Sequence, residues 1–163
     1  MENLPVRKRN RLAEYDYSQP GYYFVTICVK DMRCILWDTP TVGAHSVRQL
    51  SAIGNVVNQA IQNIGDKYEN VDVDKYVIMP NHLHLILRIR DGGRTVCAPT
   101  GNAPTISMIV KQCKEYVTKQ IGQSIWQHSF HDHIIRSRPA YEKLWTYIDQ
   151  NPLLWEEDCF FVR

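Results

Sequence analysis

The sequence predicts an α+β sandwich built on one antiparallel sheet. Short runs of aromatic and β-branched residues are bounded by turn residues, two longer stretches repeat apolar residues at helical spacing, and Pro80-Asn81 joins two strand-like segments as a hairpin. The resulting order of strand, strand, helix, hairpin, helix, strand and helix is that of a ferredoxin-like plait, with its helices expected on one face of the sheet. At 163 residues, with 44% hydrophobic and 22% charged, the chain has enough apolar material for one core and is expected to form a single domain.

The elements follow in order. Turn chemistry at Tyr15 to Gly21 precedes Tyr22 to Val29, which reads as the first strand. Lys30, Asp31 and Met32 allow a turn into a short second strand over Arg33 to Trp37, and Asp38 to Gly43 reads as loop. From about Ser46 the period changes to that of a helix carrying Ile53, Val56, Val57, Ala60, Ile61 and Ile64, with Gly65 as the expected stop. Val71 to Met79 and His82 to Ile89 form the hairpin. Residues 91 to 104, rich in Gly and Pro and without period, read as a loop or insertion. A second helix is expected from an N-cap at Thr105 to Gly122, then β-type segments over Ser124 to Gln127 and His131 to Ser137. Ser137 is the expected N-cap of a third helix, Arg138 to about Gln150, which Asn151-Pro152 ends.

Composition narrows the function classes. Disordered, collagen-like and low-complexity chains are excluded. No apolar run reaches membrane-spanning length, so a soluble, cytoplasmic protein with no membrane partner is expected. Five cysteines without a C-x-x-C pair are expected to be reduced and structural. Net charge is only +2, so any pull on nucleic acid must come from local clusters. Arg7, Lys8, Arg9 and Arg11 form a basic arm within residues 1–14, and Lys111, Lys114 and Lys119 recur along the second helix. Read alone, these are as well explained by a solubilising tail and a solvated helix face.

Two constellations carry possible chemistry. His82 and His84 leave the same face of a strand, close enough to hold one metal ion or simply to stand as two polar groups on a solvated surface. Tyr147 and Asn151, four apart on the third helix, sit beside the apolar stripe of Tyr141, Leu144, Trp145 and Ile148. Asn151 is able to offer an amide oxygen as a third, hard ligand, with Tyr147 next to the ion. A packed aromatic and a helix C-cap are the ordinary readings of those two residues.

The wider sequence then supplies a resemblance. Met-Pro-Asn-His-Leu-His-Leu-Ile-Leu (79 to 87) resembles the His-hydrophobic-His strand of the single-tyrosine HUH transposases of the insertion-sequence-200-like family, and Tyr-Ile-Asp-Gln-Asn-Pro (147 to 152) resembles the catalytic helix of the REP-associated tyrosine transposase branch. Residues 15 to 27 and 126 to 136 are similar to that branch's strand-opening and pre-helix motifs, so four motifs occur in the right order over nearly the whole chain.

The resemblance implies a ferredoxin-like, RRM-like fold and a DNA transposase that nicks and rejoins single-stranded DNA beside hairpins through a covalent 5′-phosphotyrosine. It implies Tyr147 as nucleophile and His82, His84 and Asn151 as metal ligands. A ligand set of two imidazoles and one amide is expected to hold exchangeable Mg²⁺ or Mn²⁺. The basic arm, Lys111, Lys114, Arg136 and Arg138 are the expected phosphate contacts. His131 and His133 form a second H-x-H, expected to be structural or DNA-contacting rather than a second metal site. Two other readings remain: a catalytically silent hairpin-binding protein of the same fold, and a metal-dependent hydrolase that uses water. The sequence leaves open a monomer with its own site or a homodimer that shares helices.

Overall fold

The computed structural model describes residues 15–38, 49–91 and 104–162. Arg7, Lys8, Arg9 and Arg11, and all but the ends of the predicted 91 to 104 loop, lie outside the described residues.

Four strands form one antiparallel sheet: β1 (Gly21–Cys28), β2 (Val71–Ile78), β3 (His82–Ile89) and β4 (His131–Ile135). Their spatial order is β2-β3-β1-β4. With α1 (Ala52–Lys67) between β1 and β2 and α2 (Ile106–Ile121) between β3 and β4, this is the βαββαβ order of a ferredoxin-like plait. A third helix, α3 (Arg138–Gln150), follows β4.

The period of two in each strand sorts side chains onto two faces. Tyr23, Val25 and Ile27 of β1 and Leu83, Leu85, Leu87 and Ile89 of β3 turn to one side. There they meet Val57, Ala60, Ile61 and Ile64 of α1 and Ile109, Val110, Cys113 and Val117 of α2, forming the main core. The other side is smaller. Ile86, Ile135 and Ile148 are packed there with Tyr22, Phe24, Tyr141 and Leu144. Only α1 and α2 therefore share the expected face, and α3 lies across the opposite one. The reason is in β1 and β3, whose alternate residues Phe24 and Ile86 are also apolar and need their own cover.

Caps fix the helix ends. Ser51 accepts from Gly54 N at 3.0 Å, Thr105 from Met108 N at 3.2 Å and Ser137 from Ala140 N at 3.4 Å. Gly122 adopts φ 81°, the left-handed C-cap read from the sequence. Gly65 does not stop α1, which runs to Lys67. The described helix begins at Ala52, later than expected, because Ser51 caps it.

Two expected β-segments are not strands. Over 33 to 37 only Trp37 bridges Leu50, and over 124 to 127 only Trp126 bridges Val29. In place of a ladder, the first segment packs against the hairpin, with Leu36 N donating to Pro80 O at 3.0 Å and Trp37 Nε1 to Ile78 O at 2.8 Å. The same segment leaves no room at Gly54, where a Cβ would stand 2.1 Å from Leu36 O.

Candidate active site

Register brings the site together. Cys28 pairs with His82 and Thr26 with His84, so the two imidazoles emerge side by side on the α3 face of the two central strands. Helix α3 crosses that face with Ile148 as its buried anchor. One residue earlier on the helix, Tyr147 reaches the histidines, and Asn151 at the C-cap points into the same space.

The Tyr147 hydroxyl lies 3.3 Å from His84 Nε2, and the Nε2 atoms of His82 and His84 are 3.0 Å apart. Both histidines are buried, at 0% and 1% exposure, while Tyr147 is 37% exposed, so the phenol is open to a large ligand and the imidazoles are not. Phe24 stacks on His84 with ring centroids 5.1 Å apart, and Phe160 and Trp155 flank His82.

Asp158, which carries no sequence motif, completes the cluster. Its carboxylate accepts from Tyr147 Oη at 3.0 Å, Asn151 Nδ2 at 2.6 Å and the Phe160 amide at 2.7 Å. His82, His84 and Asp158 offer ligand atoms that all lie within 4.8 Å of one another, and the group can bind a metal ion. Asp158 thus adds a carboxylate that the sequence reading did not place beside His82, His84 and Asn151. Asp158 comes from a tail with no hydrophobic period, and only the tertiary fold places it here.

Asn151 Oδ1 is buried and has no hydrogen-bond partner among the described residues. Such an orphan acceptor costs free energy unless something bound supplies a positive partner.

The second nitrogens of the imidazoles decide what the first can do. Asn81 Nδ2 is committed to Met32 O at 3.2 Å and Phe160 O at 2.8 Å, so its Oδ1 faces His82 Nδ1 at 2.9 Å as an acceptor. His82 therefore carries its proton on Nδ1 and presents a lone pair on Nε2. His84 Nδ1 meets Thr26 Oγ1 at 2.8 Å, and a hydroxyl can donate or accept. His84 is free to give an Nε2 proton to His82, or to present a second lone pair to a shared cation. Asn81 reads as a turn residue in sequence, but its hydrogen bond places it behind His82 as Thr26 stands behind His84.

Electrostatics agree with neutral imidazoles. Burial pushes the His82 pKa down to about 4, and that of His84 down to about 3 with His82 adding to the effect, while the Asp158 charge pulls both the other way. Burial also tends to raise the Asp158 pKa, yet the Phe160 amide, Asn151, His82 and Tyr147 together hold it below the usual carboxylate value. Tyr147 is raised above an ordinary phenol, first by burial and then by the Asp158 charge.

The other expected residues are more dispersed. Arg136 and Arg138 are exposed at the start of α3, on the Tyr147 side of the sheet, and Arg138 Nε pairs with Glu142 at 2.8 Å. Lys111 and Lys114 lie on α2, across the sheet from Tyr147. The Lys114 ammonium is turned inward, donating to Gln127 O and Ser129 O at 2.9 Å each. His131 and His133 are both exposed on β4.

This βαββαβ sheet, with a helix-borne tyrosine over paired histidines, has the fold of a solved REP-associated tyrosine transposase bound to a REP hairpin. The two overlay with a TM-score of 0.62 at 23% identity, over 87% of this chain and 73% of that one. A transposase candidate from Deinococcus radiodurans overlays with a TM-score of 0.47 at 15% identity, over 88% of this chain and 97% of the other. No protein-family profile matches the chain. It is 34% identical over 172 residues to an uncharacterized protein of Haemophilus influenzae, covering 96% of this chain and 93% of that protein, and the chain belongs to that protein's family.

Proposed function

We propose that the protein is a metal-dependent transposase that nicks and rejoins single-stranded DNA beside a hairpin, with Tyr147 as the nucleophile. The observation that carries this reading is the Tyr147 hydroxyl, partly exposed and 3.3 Å from His84 Nε2 in a cluster of metal-ligating groups. The fold shared with a hairpin-bound tyrosine transposase supports a DNA hairpin as partner.

His82 Nε2, His84 Nε2 and the Asp158 carboxylate would hold the ion, and the unpartnered Asn151 Oδ1 is a further oxygen donor beside them. Two imidazoles together with the oxygens of Asp158 and Asn151 would suit an exchangeable Mg²⁺ or Mn²⁺. Bound there, the cation would supply Lewis-acid polarisation of the scissile phosphate.

The chain's own residues do the rest. Tyr147 Oη attacks phosphorus in line as the bond to the 3′ oxygen breaks, forming a 5′-phosphotyrosine; the phenol proton has an acceptor at hand in the Asp158 carboxylate, and the departing 3′ oxygen takes a proton from water to leave as a 3′-hydroxyl. Phe24, Phe160 and Trp155 limit water around the imidazoles and so strengthen the local electrostatics. The phosphotyrosine conserves the energy of the broken linkage, so a 3′-hydroxyl can reverse the step without a nucleotide cofactor.

The test is a denaturing gel of the protein incubated with a hairpin-bearing strand and Mn²⁺. A DNA-linked protein band that Tyr147→Phe abolishes supports the reading, and a Phe variant that still cleaves overturns it. A silent hairpin-binding protein is the second reading, favoured by the phenol's raised pKa beside Asp158. It predicts hairpin binding with no adduct at all.

A further inference from the structure

A groove of about 1010 Å³ opens between α2 and the segment 124 to 129, on the side of the sheet away from Tyr147. Its wall carries four ammonium groups, from Lys30, Lys111, Lys114 and Lys119, against two carboxylates, Asp31 and Glu115. Lys30 and Lys119 are exposed, and among the described residues the ion pair on this wall is the 3.7 Å one between Lys111 and Glu115. Lys114 uses two of its three donors on Gln127 O and Ser129 O, leaving one.

A second observation points to the same ligand chemistry. Trp126 lines this groove and is 6% exposed, yet its indole N–H is buried without an acceptor among the described residues. A buried donor left unmade is costly, and an oxyanion seated against the wall would satisfy it after a small side-chain adjustment.

The groove also lies where a strand leaving the active site can reach it. Cys28 is the register partner of His82, and Lys30 follows it two residues on, just past that end of the sheet. Lys30 N is bonded to Ile125 O at 2.7 Å, tying the strand end to the groove wall.

We propose that this groove is a phosphate subsite which holds a backbone phosphate of the DNA strand flanking the hairpin. The proposal rests on the DNA reading for the source of the phosphate, though not for the anion chemistry. The site positions the strand on one side of the sheet while cleavage takes place on the other.

Two measurements test it. Binding of a hairpin-bearing oligonucleotide is followed against salt concentration for the wild type, for Lys30→Gln with Lys119→Gln, and for Lys67→Glu, which makes the same net charge change on α1. The double variant is expected to lower the salt slope by about one for each phosphate it no longer neutralises, and Lys67→Glu to leave it unchanged. In parallel, the Trp126 indole ¹H–¹⁵N resonance, assigned from its absence in Trp126→Phe, is titrated with inorganic phosphate and with the oligonucleotide. It is expected to shift with both, and to lose the phosphate response in the double variant.

An oligonucleotide that binds with equal salt slopes in the double variant and leaves the Trp126 resonance in place overturns the subsite. If phosphate shifts Trp126 but no oligonucleotide binds, the DNA source is overturned and free phosphate is the ligand. Loss of the covalent adduct with both responses intact counts against the Tyr147 chemistry and leaves the subsite standing.

Discussion

Replacing Thr26 with valine exchanges a hydroxyl for a methyl of similar size at a position 4% exposed, and the hydrogen bond it removes is the 2.8 Å one to His84 Nδ1. The nitrogen is left buried without its partner, which costs about 1–3 kcal/mol of stability, or roughly 2–10 °C in melting temperature for a chain of this size. The effect on metal binding follows from a different step. His84 presents a lone pair on Nε2 only while Nδ1 carries the proton, and Thr26 is the partner of that nitrogen among the described residues. Removing such a supporting partner weakens metal affinity by about 10- to 100-fold. Calorimetric titration with Mn²⁺ reads this directly, alongside a thermal melt in chelator. A variant that melts lower but takes up Mn²⁺ as the wild type does would refute the reasoning, because Thr26 would then be supporting the sheet and not the imidazole.

Tyr147→Phe is expected to retain hairpin binding in a mobility-shift assay and to lose the covalent adduct. Gly54→Ala places a methyl 2.1 Å from Leu36 O, a backbone atom that cannot yield without moving the 33 to 37 segment, and is expected to destabilise by about 3 kcal/mol in urea unfolding. The histidines predict acid sensitivity in the metal-free protein. Their folded pKa values, about 4 and about 3, lie below the ordinary 6.5, so the unfolded chain binds more protons as pH falls. Stability should be full above about pH 6.5 and decline towards pH 3, by up to about 1.4 kcal/mol per pH unit per histidine. Denaturant unfolding at stepped pH checks it, with His82→Gln expected to flatten the decline.

Much of this architecture was legible because local and global signals agree. Ser137, Thr105 and Gly122 act at the helix ends that the pattern assigns them, and Pro80-Asn81 turns the hairpin that aligns His82 and His84 with β1. The side of the sheet taken by α3 was not legible, since Phe24 and Ile86 read as strand interior without saying which helix covers them. The strand expected at 33 to 37 failed because apolar alternation over five residues does not distinguish a ladder from a segment packed across a hairpin. In the site, periodicity placed His82 with His84 and Tyr147 with Asn151, but each pair kept an ordinary reading until the family resemblance was added. Thr26 becomes visible only once the pairing register is known, and Asn81 only through its hydrogen bond to His82. Asp158 has no local pattern at all, and its place is set by where the chain returns after α3.

The phenol of Tyr147 and both imidazoles belong to one polypeptide, and they meet without a second copy contributing a side chain. Dilution therefore removes none of these groups from its neighbours. On the proposed reading, each copy that reaches a hairpin brings its own phenol and its own pair of imidazoles, already in contact.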